Sequence, residues 1–202
     1  MKNKSARLIL YTVVGLILPV LLIHLDVIPF EHRELVLVAV VFITMLGIYT
    51  EKMSSYELGI RSDNLRSALR PYFLFTLFSA ALILWYAQIS GKSPVEDWWK
   101  IPYFQFAFIP TSIVQELIYR AFFQTQYQKI LKPATSILLI AAIYSFMHIL
   151  WNSEEFIIMT LIGGLVWGFL WHKHPNLLWI SLSHTILNFL INYFGYLKID
   201  GS

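Results

Sequence analysis

Seven stretches of apolar residues follow one another along the chain, and each is separated from the next by a short polar segment. About 20 mainly apolar residues make a helix long enough to cross a bilayer, and a chain in hydrocarbon must satisfy its backbone hydrogen bonds internally. The pattern therefore predicts an all-α, polytopic membrane protein with about seven transmembrane helices. The predicted spans are residues 8–25, 35–50, 71–89, 101–127, 134–151, 156–171 and 176–197.

The composition supports a membrane protein. The chain is 57% hydrophobic and only 13% charged, whereas soluble domains are about 45–50% apolar and about 25% charged. The net charge is +3, but the basic residues fall between the apolar spans, where they set topology. The lipid bilayer is thus a predicted partner, and nucleic acid is not. The chain has no cysteine, which excludes disulfides, thiolate metal sites and cysteine nucleophiles.

The distribution of lysine and arginine predicts the orientation in the membrane. An N-terminus inside puts the larger basic set in the cytoplasm: Lys2, Lys4, Arg7, Lys52, Arg61, Arg66, Arg70, Lys129, Lys132 and Lys173. The opposite side then carries Arg33, Lys92, Lys100 and Lys198. The positive-inside rule therefore predicts a multi-pass membrane protein with a cytoplasmic N-terminus. We expect the membrane to be a bacterial cell membrane. Residues 51–70 are predicted to form an amphipathic stretch at the interface.

Two charged residues interrupt the fourth span. Glu116 and Arg120 are four residues apart, so on a helix they lie on one face and can neutralise each other. Charged groups in hydrocarbon are costly and mark functional sites, but a structural ion pair between helices explains this pair equally well. The neighbouring Gln115 also has two interpretations. It is either a functional residue or the second half of a capping box with Ser112 at a helix start.

Histidines interrupt two further spans. His148 follows Tyr144 by one turn in the fifth span, and His184 precedes Asn188 by one turn in the seventh. A single histidine of this kind is usually an interhelical hydrogen bonder. Histidines on two apolar helices together with Glu116 on a third favour a shared site. Gly164 and Gly168 in the sixth span are typical of a close helix contact.

This set of residues suits water attack on an amide. A carboxylate and an imidazole can deprotonate water, and a second imidazole with a carboxamide can donate hydrogen bonds to the oxyanion. Glu116, His148 and His184 could alternatively hold zinc with water as the fourth ligand, although no HExxH motif is present. A proton relay in a transporter is a third alternative, but no repeated halves are visible.

The order and spacing of these residues resemble the CPBP family (CAAX protease and bacteriocin-processing proteins, also called Abi), which are intramembrane glutamic endopeptidases. The family's Glu-Glu-x-x-x-Arg motif corresponds to Gln115-Glu116-x-x-x-Arg120, and its Phe-x-x-x-His motif to Tyr144-x-x-x-His148. Its His-x-x-x-Asn motif corresponds to His184-x-x-x-Asn188. The segment 56–61 also resembles the family's lead-in.

The resemblance implies a polar cavity in the membrane and a metal-independent endopeptidase that cleaves a membrane-associated peptide or protein. It implies that Glu116 and His148 activate water, that His184 and Asn188 form the oxyanion site, and that Arg120 holds the first motif in place. Gln115 replaces the motif's first glutamate, and an amide can orient water but cannot accept its proton. The alternative is therefore a catalytically impaired member that acts in binding, immunity or regulation.

The predicted domain organisation is a single integral membrane domain over residues 1–202. Its family-like core covers about residues 56–192, and residues 8–50 add two N-terminal spans.

Glu116 projects about 100° away from Gln115 on an α-helix, so the two side chains are expected in different surroundings.

Overall fold

The computed structural model describes residues 2–196, and they form seven helical stretches that we number α1 to α7. The regular helices are α2 (Arg33–Thr50, after a 3-10 turn Phe30–His32), α3 (Leu65–Ile89), α6 (Glu154–Lys173) and α7 (Leu177–Tyr193). Helix α1 consists of Lys2–Thr12, a π-helical turn Val13–Ile17 and Leu18–His24, and α5 consists of Pro133–Phe146 with a 3-10 extension Met147–Trp151. Helix α4 consists of a π-helical turn Tyr103–Ala107, the α-helical part Phe108–Glu116, a π-helical segment Leu117–Gln124 and a last turn Thr125–Gln128. A 3-10 turn, Trp98–Lys100, precedes α4.

The prediction of an all-α, polytopic membrane protein is confirmed. Residues 2–196 contain no strand, and five helices in this range are long and apolar enough to cross a membrane. These are Lys4–His24, Phe30–Thr50, Leu65–Ile89, Pro133–Trp151 and Glu154–Lys173. The apolar helix α7 is shorter, at 17 residues, and α4 is interrupted, so the total of seven spans stays a prediction. Residue 197, the predicted end of the last span, and Lys198 lie outside the described residues.

The fourth helix passes through Pro110 without breaking. Pro110 is the third residue of Phe108–Glu116 and follows the π-helical turn Tyr103–Ala107, where the regular α-helical hydrogen-bond pattern is already interrupted. Directly after Glu116 the backbone widens into the eight-residue π-helical segment Leu117–Gln124, a geometry that is frequent at functional sites. This segment is almost wholly buried. The ring of Phe122 packs so closely against Gly47 of α2 that a Cβ added there would lie 2.3 Å from it.

Glycines allow α5 and α6 to pack closely. A Cβ added to Gly164 would lie 3.2 Å from the Cα of Ala141, and one added to Gly168 would lie 3.0 Å from Ile137. The predicted small-residue helix contact is therefore confirmed. It brings the backbone of α6 close to the buried polar side chains of α4.

The predicted amphipathic stretch, residues 51–70, is a turn segment followed by the start of α3. Residues 51–64 form turns, and only the part from Leu65 onward is helical. Gly59 has φ +70°, and its carbonyl accepts a hydrogen bond of 2.9 Å from the N–H of Leu177. The Nδ2 of Asn176 donates to Oδ1 of Asn64 at 2.8 Å. These bonds fasten the segment to the start of α7.

Candidate functional site

A cavity of about 920 Å³ lies among the helices and reaches from their apolar outer surface to the polar residues inside. Apolar side chains form most of its wall. Its polar and titratable side chains at depth are Tyr103, Gln115, Tyr119, Tyr144, His148, His184, Asn188 and Asn192. The predicted site residues on α4, α5 and α7 therefore meet around one cavity, except for Glu116 and Arg120, which do not line it.

Glu116 is bound to His184. It is the last residue of the α-helical part of α4, and it is buried. Nδ1 of His184 donates to Oε1 of Glu116 at 2.6 Å. The other carboxylate oxygen lies 3.6 Å from Nε of Arg120, so the ion pair considered from the four-residue spacing is present. A carboxylate in this position fixes the tautomer and the orientation of the imidazole.

Arg120 is fully buried beneath the cavity. Its Nη1 donates to Oε1 of Gln124 at 3.1 Å, and Nε2 of Gln124 donates to the backbone carbonyl of Gly168 at 2.7 Å. Nε and Nη2 of Arg120 have no hydrogen-bond partner among the described residues. The charge of Arg120 is thus balanced mainly by Glu116, because burial removes the compensation that water would give.

His148 lies in the 3-10 extension of α5. Its Nδ1 donates to the backbone carbonyl of Tyr144 at 2.6 Å, and this bond assigns the proton of the neutral ring to Nδ1. Its ring stacks on Trp151, with centroids 5.4 Å apart. Nε2 makes no hydrogen bond within residues 2–196 and carries the lone pair of the neutral ring. His148 therefore offers the cavity a proton acceptor in a fixed orientation.

Tyr144 lies between the two histidines. Its ring centroid is 4.6 Å from that of His148 and 6.1 Å from that of His184. Its hydroxyl lies 3.4 Å from Nε2 of His184. The tyrosine that replaces the motif's phenylalanine thus adds a hydroxyl group to the cavity next to His184.

Gln115 faces the cavity, and Glu116 does not. The capping-box interpretation of Gln115 is wrong. Ser112 lies inside the helix Phe108–Glu116, and its hydroxyl donates to the carbonyl of Phe108 at 2.8 Å, so it cannot start the helix. The half-buried amide of Gln115 makes no side-chain hydrogen bond within the described residues and is available to a water or a ligand.

Asn188 belongs to a dense polar network. Its Nδ2 donates to the hydroxyls of Tyr103 and Ser112, both at 3.1 Å. Its Oδ1 accepts a bond of 2.6 Å from Nδ2 of Asn192. The predicted placement of Asn188 one turn after His184 is met, and both side chains line the cavity.

Sequence reasoning missed three contributors to the site. Tyr103 precedes every motif by more than two turns, and Trp167 stacks on His184 with centroids 4.6 Å apart at 24°. Gln124 supports Arg120 from within the π-helical segment. Tyrosine and tryptophan are abundant in this chain, with 11 and 7 copies, so neither residue carried a signal. Gln124 follows Arg120 by four residues, which was the one available sign.

The described residues contain no group of three His, Cys, Asp or Glu side chains that could hold a metal ion. His184 uses Nδ1 for Glu116 and His148 uses Nδ1 for a backbone carbonyl. The zinc alternative at Glu116, His148 and His184 stays a prediction.

Comparison with known proteins finds a family that matches part of the chain. The family described as type II CAAX prenyl endopeptidase Rce1-like matches residues 97–190. Neither a curated protein nor a solved structure matches the chain significantly. The matched segment contains all three motifs and every site residue named above except Asn192. The resemblance to the CPBP family of CAAX-type proteases is therefore confirmed over residues 97–190, which match the Rce1-like family.

Proposed function

We propose that this protein is an intramembrane endopeptidase of CPBP type that hydrolyses a membrane-proximal peptide bond with an activated water. The Rce1-like match supports a CAAX-type intramembrane protease in general terms. The observation that carries the proposal is the convergence of two histidines on one cavity, joined through Tyr144, with His184 bound to Glu116 at 2.6 Å.

The water is activated by His148. Its Nε2 takes the proton while the water oxygen adds to the carbonyl carbon, and the amide of Gln115 orients the water by a hydrogen bond. When the tetrahedral intermediate collapses, the C–N bond breaks and the leaving nitrogen takes the proton back from His148. The hydrogen bond from Nδ1 of His148 to the carbonyl of Tyr144 supports the role of His148 as proton acceptor, because it leaves Nε2 as the basic nitrogen of the neutral ring.

Glu116 contributes through its hydrogen bond to His184. A direct role on the water was predicted, and the contacts support a route through His184. The carboxylate orients the ring of His184, and the protonated ring donates from Nε2 to the oxyanion together with the Asn188 side of the cavity. Arg120 pairs with Glu116 at 3.6 Å and holds it in place.

The substrate is a membrane-associated peptide or protein. The cavity has a mainly apolar wall and a few polar side chains. A substrate whose apolar membrane anchor packs against this wall would have the peptide bond next to the anchor at the two histidines. The proposed location is a bacterial cell membrane with the N-terminus in the cytoplasm.

Cleavage by purified protein in liposomes tests this function. A library of membrane-anchored peptides is incubated with the native protein and with His148→Ala, with and without EDTA, and products are identified by mass spectrometry. The control variant is Tyr86→Phe, which removes a hydroxyl that donates to Glu155 at 3.0 Å and has no contact with the histidines. We expect cleavage that survives EDTA, is lost in His148→Ala and persists in Tyr86→Phe. Loss of cleavage with EDTA would instead support the zinc site, and cleavage that persists in His148→Ala would reject the mechanism.

A catalytically impaired member is the second candidate, and the position of Gln115 favours it. The residue that faces the cavity is an amide, while Glu116 is already engaged by His184 and Arg120. The discriminating variant is Gln115→Glu. If it creates hydrolysis that the native chain lacks, and Glu116→Ala does not change the native protein's phenotype, the native chain acts by binding or regulation.

A further inference from the structure

The polar network of Tyr103, Asn188 and Asn192 lines the cavity and contains one hydroxyl group, which belongs to Tyr103. We propose that Tyr103 is the hydrogen-bond donor of this network and holds the carbonyl oxygen of the bound peptide, while Asn188 and Asn192 position Tyr103. The proposal deepens the hydrolase function and rests on it for the catalytic consequence.

The donors of Asn188 are already used. An amide NH₂ has two hydrogens, and Nδ2 of Asn188 gives them to Tyr103 and Ser112 at 3.1 Å each. The Ser112 hydroxyl is itself committed to the carbonyl of Phe108 at 2.8 Å. Asn188 would have to break one of its bonds before it could donate to a ligand.

Asn192 holds Asn188 in this arrangement. Its Nδ2 donates to the side-chain oxygen of Asn188 at 2.6 Å and to the backbone carbonyl of Asn188 at 2.7 Å. Asn192 is itself only 1% exposed. Because both hydrogens of Asn192 are committed, Asn188 cannot turn its amide toward the cavity without leaving a buried polar group unpaired, which costs about 1–3 kcal/mol.

Tyr103 keeps a hydrogen to give. Its oxygen accepts from Nδ2 of Asn188 at 3.1 Å and lies 3.5 Å from Nδ2 of Asn192. The only acceptor near its O–H among the described residues is Oδ1 of Asn188, at 3.4 Å. That oxygen already accepts the short bond from Asn192. Tyr103 lines the cavity, so its O–H can turn to a ligand at small cost.

A phenol that accepts a hydrogen bond becomes a better donor, because hydrogen bonds in a chain polarise one another. Fixed donors of this kind stabilise the charge that develops on a carbonyl oxygen. Tyr103 retains its proton throughout, so its part in hydrolysis is to shift charge onto the oxygen and not to transfer a proton.

Infrared spectroscopy of a carbonyl probe tests the donor without any need for catalysis. The probe is 2-undecanone, a long-chain ketone that fits an apolar cavity, added to protein in a detergent that has no carbonyl group. We expect the native protein to give a second ketone band at lower wavenumber, which is lost in Tyr103→Phe. The matched control is Tyr119→Phe, another tyrosine of α4 that lines the cavity, and this variant should keep the band.

Incorporation of 3-fluorotyrosine at position 103 covers the case in which Tyr103→Phe does not fold. The fluorinated phenol has the same shape and is a stronger donor, so the shifted band should move further to low wavenumber, whereas the same replacement at Tyr119 should not move it. A native protein without the shifted band, or a band that is unchanged by either replacement at Tyr103, would overturn the proposal.

Kinetics separates this inference from the proposed function. Loss of one oxyanion donor lowers kcat by about 10²–10³-fold, and we expect this in Tyr103→Phe with KM changed less than about threefold, since ground-state binding is preserved. If the infrared band behaves as expected but neither the native chain nor Gln115→Glu cleaves any peptide, the hydrolase proposal fails and Tyr103 remains the donor of a binding site. A shifted band together with an unchanged kcat in Tyr103→Phe would reject its catalytic role.

Discussion

At the scale of single residues, two neighbours on α4 have opposite surroundings. Gln115 faces the cavity, while Glu116 is buried against His184 and Arg120. The sequence predicted this separation, because consecutive residues of an α-helix point about 100° apart. It could not predict which of the two would face the cavity, since that depends on how α4 is rotated against α7. In the structure, α4 is rotated so that Glu116 faces His184 on α7.

The charge of Arg120 gives a prediction for stability. The variant Arg120→Met removes this charge and leaves Glu116 as a buried carboxylate without its cation. Breaking a buried ion pair in this way lowers the free energy of unfolding by about 3–5 kcal/mol. The measurement is unfolding of the purified protein in detergent. Arg66→Met, which removes an exposed arginine at the start of α3, is the control and should change little. A loss below about 1 kcal/mol in Arg120→Met would mean that the pair is not buried as described.

At the scale of helices and turns, the departures from regular α-helix were not predictable. The motifs were placed correctly on α4, α5 and α7, but neither the π-helical segment Leu117–Gln124 nor the 3-10 extension Met147–Trp151 was expected. Both arise where tertiary contacts dominate over local preference. Phe122 packs onto Gly47 of a helix 75 positions earlier in the chain, and no local pattern encodes that contact.

The turn at Gly59 gives a second prediction. Gly59→Ala adds a methyl group at φ +70°, and its Cβ would lie 2.4 Å from the ring of Trp171. Gly91 is the matched control, because it has φ +65° and nothing within 4 Å of an added Cβ. We expect Gly91→Ala to cost about 1 kcal/mol from backbone strain alone and Gly59→Ala to cost clearly more in the same thermal unfolding assay. Equal losses of stability in the two variants would show that the contact between Trp171 and the added methyl group does not destabilise the protein.

The ion pair between Glu57 and Lys129 predicts a pH dependence outside the membrane. The ammonium of Lys129 lies 2.6 Å from Glu57 and, together with a hydrogen bond from the N–H of Ser54, lowers the pKa of that carboxyl from 4.5 to about 2. The folded state therefore favours the ionised form. Its stabilising contribution is complete above pH 4.5 and is lost as the pH falls toward 2.

The corresponding measurement compares the native protein with Glu57→Gln at pH 7, pH 4 and pH 2.5. Both side chains are about one-third exposed, so the difference at pH 7 should be below about 1 kcal/mol. The difference in unfolding free energy between the native protein and Glu57→Gln should become smaller as the pH falls. A difference that stays constant or grows toward low pH has the wrong sign for this pair.

At the scale of the whole molecule, the chain's lack of cysteine makes the topology testable. Ser55 lies in the turn segment between α2 and α3, and Ser93 lies between α3 and α4. The positive-inside rule puts the first in the cytoplasm and the second outside. In intact cells, an impermeant maleimide should label Ser93→Cys and should label Ser55→Cys only after the membrane is opened. The reverse result would place the N-terminus outside.

The most direct test of the account is whether water reaches position 115 in the middle of α4. Single cysteines are introduced as Gln115→Cys and, for a lipid-facing control on the same helix, Ile113→Cys, and each is treated in liposomes with a small charged thiol reagent that reacts only with the hydrated thiolate. One shared polar cavity predicts rapid modification at 115 and little at 113. If position 115 reacts no faster than position 113, the three helices do not enclose a water-filled site, and the hydrolase proposal is contradicted.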